Sequence, residues 1–157
     1  MDINRPNQVW EIDITYIPMQ SGFMYLTAII DVYSRMIIAW RLSNTLRKSS
    51  VMHVVKQAIN IHGKPEILNS DQGSQFTCKE YVSYLKQEHI KISMDGKGWA
   101  LDNIYIERFW RTIKYQHIYL NPADDGISLY KGPKRSIKSI IKRYFSRKNQ
   151  CRIQNHR

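Results

Sequence analysis

The segment Val9–Pro18 constrains the fold most, because apolar and polar side chains alternate along it. This period of two is typical of a β-strand that carries Asp13 on one face and apolar side chains on the other. β-rich segments follow at residues 24–32 and 36–42, and only short turn sequences separate the three segments. Because short connections join antiparallel neighbours, the sequence predicts a three-stranded meander.

Helices that alternate with short strands are predicted after the meander. Apolar residues at helical spacing start at Val51, with Ser49 or Ser50 as the predicted N-cap and Gly63 as the stop. The further predicted elements are a strand at residues 66–69, a helix at 79–87, a strand at 90–94 and a helix from about residue 102 to residue 119. This order predicts an α/β domain with a mixed sheet.

The positive charge of the chain is concentrated at one end. Of the formal net charge of +11, residues 1–130 contribute 14 Lys and Arg against 13 Asp and Glu, a net of +1. Residues 131–157 hold 10 basic residues and no acidic one. We therefore predict one domain over residues 1–130 and a basic tail over residues 131–157. A polyanionic partner is the natural interpretation of such a tail, and a solvated charge run is the alternative that the sequence leaves open.

The cysteines and the hydropathy exclude several classes of protein. Cys78 and Cys151 are far apart and lack the spacing of a zinc finger or of a disulfide framework. No apolar run reaches the length of a membrane span, and no leader segment is recognisable. We therefore expect a cytoplasmic protein with no membrane partner.

Three carboxylates stand out by their positions. Asp13 lies in the middle of a predicted strand, Asp71 directly follows another strand, and Glu107 lies one turn into a long helix. Like charges at about 4 Å repel by roughly 1 kcal/mol in water and roughly 4 kcal/mol near a protein surface, so such a trio can converge only around a cation. Mg²⁺ takes oxygen ligands and is typically held by one or two carboxylates together with substrate phosphates.

The helix that carries Glu107 has two distinct stripes. Its apolar stripe, which is predicted to face the core, consists of Ile106, Phe109, Trp110 and Ile113. Its polar stripe consists of Asn103, Glu107, Arg111 and Lys114. We predict that the polar stripe holds a metal ion at one end and DNA phosphates farther along. For Glu107 alone, an ordinary ion pair with Arg111 is the alternative.

Four segments carry a resemblance to a known family: VWEIDITY at residues 9–16, TAIIDVYSR at 27–35, NSDQGSQF at 69–76 and ALDNIYIERFW at 100–110. They resemble the integrase-core domain of bacterial insertion-sequence transposases of the orfB type, which are relatives of retroviral integrases. The similarity covers roughly residues 5–130. Between Asp71 and Glu107 lie 107 − 71 − 1 = 35 residues, which matches the D,D(35)E spacing of that family.

The resemblance implies a ribonuclease-H-like fold, a five-stranded mixed sheet flanked by helices. It assigns Asp13, Asp71 and Glu107 to the three catalytic, metal-binding positions, with two Mg²⁺ or Mn²⁺ ions as cofactors. The implied activity is that of a DDE transposase or integrase, a polynucleotidyl transferase that cleaves DNA ends and transfers the strand into target DNA. The implied partners are transposon ends, target DNA and further copies of the chain, in the bacterial cytoplasm or at the nucleoid.

Other residues receive more modest interpretations. Gln75 is a predicted DNA contact in the loop that presents Asp71. Asp31 is interpreted as a turn cap and Asp102 as a helix N-cap. The two tryptophans on apolar faces, Trp10 and Trp110, are predicted to be core residues and not platforms for base stacking.

The chain departs from the family pattern at both ends. It opens almost directly on the first catalytic strand, without the helix-turn-helix-like region that usually precedes it. After residue 132 the sequence follows a different pattern, in which Ile137, Ile140, Ile141, Tyr144 and Phe145 predict a basic amphipathic helix. Two alternatives to an active strand-transfer enzyme stay open: a non-catalytic DNA-binding remnant, and a ribonuclease-H-like nuclease that cuts without joining.

Overall fold

The computed structural model describes residues 1–96, 103–118, 122–131 and 136–154, and its centre is a five-stranded mixed sheet. The strands are β1 (Val9–Pro18), β2 (Phe23–Asp31), β3 (Ile37–Ser43), β4 (Ile67–Ser70) and β5 (Lys91–Met94). Their order across the sheet is β3-β2-β1-β4-β5. β1, β2 and β3 are antiparallel, whereas β4 runs parallel to β1 and β5 runs parallel to β4. The predicted meander and mixed sheet are therefore confirmed.

Six α-helices are described around the sheet: α1 (Lys48–His62), α2 (Ser74–Thr77), α3 (Lys79–Gln87), α4 (Ile104–Ile113), α5 (Gly126–Lys131) and α6 (Ile137–Gln154). The predicted helix that ended near residue 119 is shorter, because α4 gives way to a π-helical turn over Lys114–Ile118. Within the described ranges, no helix combines the length and apolar character needed to span a membrane.

The predicted start of α1 is wrong, whereas its predicted end is confirmed. The predicted caps Ser49 and Ser50 are wrong, since both residues lie inside the helix and the N-cap position is Arg47. The chain bends into the helix before either serine, and the first turn forms without a side-chain cap. Gly63 ends α1 as predicted, with a left-handed φ of 82° that favours glycine.

The two faces of the sheet bury different helices. On one face, Trp10 and Ile12 of β1 pack with the buried side of α1 and with α3. On the other face, β2 packs against α4, α5 and α6. The residues of α4 that line this second core are Ile106, Phe109, Trp110 and Ile113, which is the predicted apolar stripe. Asp13 lies in β1, and α4 packs across β1 and β2.

The basic tail forms the predicted helix and contributes to the second core. The apolar stripe of α6 is buried at Ile137, Ile140, Ile141 and Tyr144, and the ring of Tyr144 meets that of Phe109 edge to face, with 5.0 Å between centroids. Lys138, Lys142 and Arg143 are exposed. The side chain of Phe145 lies outside the described residues. The first half of α6 is therefore a packed element with a cationic outer face.

Replacing Ile140 by Ala tests whether α6 packs in solution as described. Ile140 is buried between α6 and the sheet, so Ile140→Ala is expected to lower the free energy of unfolding by about 2–4 kcal/mol. Lys142→Ala on the exposed face is the matched control, with an expected change within about 0.5 kcal/mol. Urea denaturation measures both variants. Equal stabilities of the two variants would mean that the tail does not pack on the domain.

Candidate active site

Asp13 lies on the face of β1 that meets α4. One of its carboxylate oxygens, Oδ2, accepts a hydrogen bond of 2.9 Å from the indole Nε1 of Trp110. The pKa of Asp13 is raised to about 6, chiefly by burial and in smaller part by the charges of Asp71 and Glu107, while the Trp110 bond lowers it. Without a cation, the site therefore disfavours the charged form of Asp13.

Asp71 directly follows β4, the parallel neighbour of β1. The register pairs Glu11 with Asn69, and two residues farther along each chain come Asp13 and Asp71. The carboxylate of Asp71 is exposed, and its Oδ1 accepts the backbone N–H of Gly73 at 2.8 Å. Because β4 pairs with the first residues of β1 and ends beside its middle, Asp71 lies near Asp13, and its charge acts on the pKa of Asp13.

The Asp71 carboxylate lies close to Gly73, in space that is available because glycine has no side chain. A Cβ atom at residue 73 would lie 2.8 Å from Oδ1 of Asp71 and 3.2 Å from Oε1 of Gln75. The first distance is shorter than a normal contact, so a side chain here would displace the carboxylate. Glycine is thus required at this position for close approach and not for a special φ.

Glu107 lies in the first turn of α4 with an exposed side chain. Its charge contributes to the raised pKa of Asp13, so the two carboxylates are within electrostatic reach. No ion pair joins Glu107 to Arg111 in the part of the chain that the structure describes. The alternative of a simple helical ion pair therefore has no support from the geometry.

The three carboxylates do not form a closed metal cage. Among the described residues, no group of three or more His, Cys, Asp and Glu side chains is close enough to hold a metal ion. The donor chemistry nevertheless fits Mg²⁺ or Mn²⁺, because all three side chains offer oxygen ligands and their charges oppose ionisation of Asp13. A divalent cation would remove that opposition.

The predicted DNA contacts Gln75, Arg111 and Lys114 lie around the carboxylates. Gln75 is half-buried in α2, and Arg111 is exposed on α4. The ammonium of Lys114 lies 4.8 Å from the ring centroid of Tyr16. Burial lowers the pKa of Lys114, and the nearby charge of Asp13 opposes this effect. Lys114 therefore lies near enough to Asp13 for their charges to interact.

Asn103 requires a correction. The sequence grouped it with the exposed polar stripe as a DNA contact, but the structure buries it at 2% exposure. Its Nδ2 donates to the carbonyl of Ile12 at 3.3 Å, and its Oδ1 accepts from Nδ2 of Asn69 at 2.8 Å. The reason is that α4 begins at Ile104, so the helical period does not extend to residue 103.

Glu11 is a buried carboxylate near the site that sequence reasoning missed. Its Oε2 accepts the backbone N–H groups of Tyr105 and Ile106 at 3.1 and 2.9 Å. Burial raises the pKa of Glu11 to about 7, against these two hydrogen bonds and the charge of Arg35. The position of Glu11 inside a largely apolar strand could have marked it as a buried carboxylate. Its hydrogen-bond partners could not be inferred, because they lie more than 90 residues away in the sequence.

The remaining interpretations have mixed outcomes. Asp31 caps its turn as predicted, since its Oδ2 accepts the N–H of Ser34 at 2.8 Å. Trp10 is a core residue as predicted. Trp110 is buried as predicted, but its indole also bonds to Asp13, which the sequence did not indicate. Asp102 lies outside the described residues.

Comparison with known sequences identifies relatives among bacterial transposases. The profile of the integrase core domain matches residues 3–99. The transposase for insertion sequence element IS904 of Lactococcus lactis subsp. lactis is 41% identical over 115 residues, which are 72% of this chain and 46% of that protein. The putative transposase InsK for IS150 of Escherichia coli is 33% identical over 152 residues, 95% of this chain and 52% of that protein. The chain thus spans about half the length of these relatives.

Comparison with solved structures identifies retroviral integrases. The integrase catalytic core domain of HTLV-2, solved in complex with magnesium, has a TM-score of 0.63 at 22% identity and covers 88% of this chain and 83% of its own. The simian T-cell lymphotropic virus intasome has a TM-score of 0.66 at 18% identity and covers 87% and 46%. These likenesses confirm the predicted ribonuclease-H-like fold.

The raised pKa of Asp13 predicts how Asp13→Asn changes stability with pH. Folding favours neutral Asp13, so its contribution to stability is full below the ordinary value of 3.8 and is lost as the pH rises through about 6. In metal-free buffer at pH 8, the free energy of unfolding of Asp13→Asn is expected to exceed that of the parent by about 1–3 kcal/mol, since one pKa unit is worth about 1.4 kcal/mol. This advantage should shrink toward pH 4.

Urea denaturation across this pH range measures the difference, with the exposed Asp124→Asn as the matched control. The control should follow the parent at every pH. An Asp13→Asn variant that also follows the parent would contradict the electrostatic account of the site.

Gly73→Ala is expected to separate folding from metal binding. The new methyl group displaces the Asp71 carboxylate, which is the flexible end of a side chain, so stability should change little. The affinity for Mn²⁺, measured by calorimetric titration, should fall, because an oxygen of the candidate metal site is displaced. Ser74→Ala, at the exposed neighbouring residue, is the control. Equal Mn²⁺ affinity of Gly73→Ala and the parent would show that the position of Asp71 does not matter for metal binding.

Proposed function

The chain belongs to the integrase core domain family, and on that premise we propose that it is the catalytic core of a DDE transposase, a polynucleotidyl transferase. In this proposal, Asp13, Asp71 and Glu107 are the metal-binding catalytic residues. The observation that carries the proposal is that the parallel pairing of β4 with β1 and the packing of α4 across β1 bring Asp71 and Glu107 close enough to Asp13 for their charges to raise its pKa. Residues 1–130 form the proposed catalytic domain, and residues 131–157 form a basic extension.

The proposed cofactor is a pair of Mg²⁺ or Mn²⁺ ions held by the three carboxylates. Such ions polarise phosphate oxygens and stabilise charge on the attacking and leaving oxygens of an in-line displacement. The HTLV-2 integrase core has been solved in complex with magnesium, which supports this choice. The protein contributes orientation, since Trp110 holds Oδ2 of Asp13 and the Gly73 N–H holds Oδ1 of Asp71.

The proposed substrate is DNA at the ends of an insertion sequence. Water or a 3′-hydroxyl attacks the phosphorus directly, a new P–O bond forms as the P–O bond to the leaving 3′-oxygen breaks, and the protein forms no covalent bond to DNA. Arg111 on α4 and Lys114 in the π-helical turn that follows it are the proposed phosphate contacts beside the reacting group, and Gln75 is a further contact at Asp71. The exposed cations of α6 are proposed to bind the DNA backbone independently of the DNA sequence.

Assembly and location follow from the same proposal. The HTLV-2 core has been solved in dimeric and trimeric forms, and we propose that this chain also associates with copies of itself on DNA. Its place of action is the bacterial cytoplasm, at the nucleoid when DNA is bound. Because the matching transposases are about twice as long, the activity proposed for this chain is the chemical step at a DNA end.

One assay tests the function. The chain is incubated with Mn²⁺ and a labelled, pre-cleaved oligonucleotide that carries an end of the insertion sequence encoding it. Joined products are expected, and Asp13→Asn, Asp71→Asn and Glu107→Gln should each abolish them. Glu80→Gln, which removes an exposed carboxylate of α3, is the control and should leave joining unchanged.

The other outcomes of this assay identify the two alternatives. Nicked but unjoined DNA would indicate a ribonuclease-H-like nuclease. Unchanged DNA that is nevertheless bound would indicate a non-catalytic DNA-binding remnant. Either result overturns the proposed strand transfer.

The exposed face of α6 generates a separate prediction about DNA binding. Replacing Lys138, Lys142 and Arg143 by Gln leaves the buried stripe of α6 intact, whereas deleting the tail would also remove core residues. Affinity for random-sequence duplex should fall, and the slope of log K against log salt should become shallower by up to about 3, since each phosphate contact contributes about 0.9.

Fluorescence anisotropy at several salt concentrations measures this slope. The matched control replaces the exposed Lys48, Lys79 and Lys86, which lie on the helices of the opposite face, α1 and α3. This control makes the same charge change away from α6. Equal loss of affinity in both triple variants would mean that net charge, and not the position of α6, determines binding.

A further inference from the structure

The first turn of α4 is held by a residue from a different element. N–H groups in the first turn of a helix have no acceptor within the helix and require one from elsewhere. The N-cap residue Asn103 makes no such bond with its side chain. Instead, Oε2 of Glu11 accepts the N–H groups of Tyr105 and Ile106 at 3.1 and 2.9 Å. The cap of α4 is therefore supplied by β1, two residues before Asp13.

Asn103 lacks a capping role because its amide makes two other buried bonds. Its Nδ2 donates to the carbonyl of Ile12, and its Oδ1 accepts from Asn69. The same Asn69 Nδ2 also donates to Asp95 at 2.9 Å. Asn69 and Asn103 are almost fully buried, at 0% and 2% exposure. These bonds join β4, β1 and the start of α4 in the interior.

The residues of this hydrogen-bond network lie close in sequence to the three candidate catalytic carboxylates. Asn69 lies two residues before Asp71, and Asn103 lies four residues before Glu107, one helical turn away. Ile12 and Glu11 directly precede Asp13. Each element that carries a carboxylate is thus tied to the others by hydrogen bonds within one turn, or two strand residues, of that carboxylate.

We infer that Glu11 and Asn103 are positioning residues, which fix the start of α4 on β1 and β4 and thereby set where Glu107 lies relative to Asp13 and Asp71. This inference rests on the proposed function. It explains why polar side chains occupy this interior: beyond its first turn, α4 meets the sheet through apolar contacts and the bond from Trp110 to Asp13, and the directional bonds at its first turn fix where the helix starts. Neither residue is proposed to touch DNA.

Glu11→Leu and Glu11→Gln test the cap. Leu has a similar size but accepts no hydrogen bond, whereas Gln keeps an acceptor oxygen and removes the charge. Under saturating DNA, Glu11→Leu is expected to lower kcat for end joining by about 100-fold, with KM for DNA nearly unchanged. Glu11→Gln should stay close to the parent. If Gln fails as Leu does, the charge of Glu11 and not its cap is required, and the inference is wrong.

Asn103→Ala tests the bonds of the Asn103 amide to Ile12 and Asn69. It also provides a test of the inference if Glu11→Leu does not fold. It removes both amide bonds without adding bulk and should give the same loss of kcat at nearly constant KM. Asn60→Ala, at an exposed position of α1, is the control. Parental kcat in a folded Asn103→Ala or Glu11→Leu variant would overturn the inference. So would the failure of both variants to fold, because the network would then serve stability alone.

Calorimetric titration with Mn²⁺ provides a readout that does not depend on turnover. Displacement of Glu107 should weaken Mn²⁺ binding in Glu11→Leu and Asn103→Ala but not in Glu11→Gln. If the proposed function itself fails, the parent joins no DNA, and the Mn²⁺ affinities still decide the positioning role. Equal Mn²⁺ affinity in the parent and all three variants would contradict it.

Discussion

The packing of α4 across β1 is the interaction on which the candidate site depends. Two of the three carboxylates, Asp71 and Asp13, need only the parallel pairing of β4 with β1 to come together, because β4 ends beside the middle of β1. Glu107 arrives from a helix that follows β5, the edge strand. The contact between α4 and β1 is apolar at Ile106 and Phe109 and polar at Trp110, whose indole bonds to Asp13. One helix face therefore supplies core packing and orients the carboxylate of Asp13.

This arrangement concentrates negative charge where burial already disfavours it. The pKa values of Glu11 and Asp13 are both raised, to about 7 and about 6, mainly by burial. The domain tolerates this because other side chains compensate: Glu11 accepts two backbone N–H groups, and Asp13 accepts the Trp110 indole. A divalent cation bound at the candidate site would offset the remaining electrostatic cost at Asp13, so metal affinity and instability of the metal-free site would have one cause.

The sequence predicted those features that the local backbone controls. The stripe from Ile106 to Ile113 follows from the helical period and agrees with the observed burial. Along β1 the alternation predicts the strand but not its burial, because Glu11 is fully buried and Tyr16 is 57% exposed. The bond from Trp110 to Asp13 and the cap from Glu11 depend on how distant elements pack, which no periodicity encodes. Asn103 shows the limit most clearly, because the helical period was applied one residue before the helix begins.

Anomalous X-ray diffraction from crystals soaked in Mn²⁺ tests the central claim most directly, because it locates the cation without requiring catalysis. The account predicts an anomalous peak within ligand distance of carboxylate oxygens from Asp13 and at least one of Asp71 and Glu107. Asp13→Asn crystals treated identically should lose the peak. Mn²⁺ bound elsewhere on the domain, with no anomalous density at Asp13 under saturating conditions, would contradict the assignment of these carboxylates as the metal site.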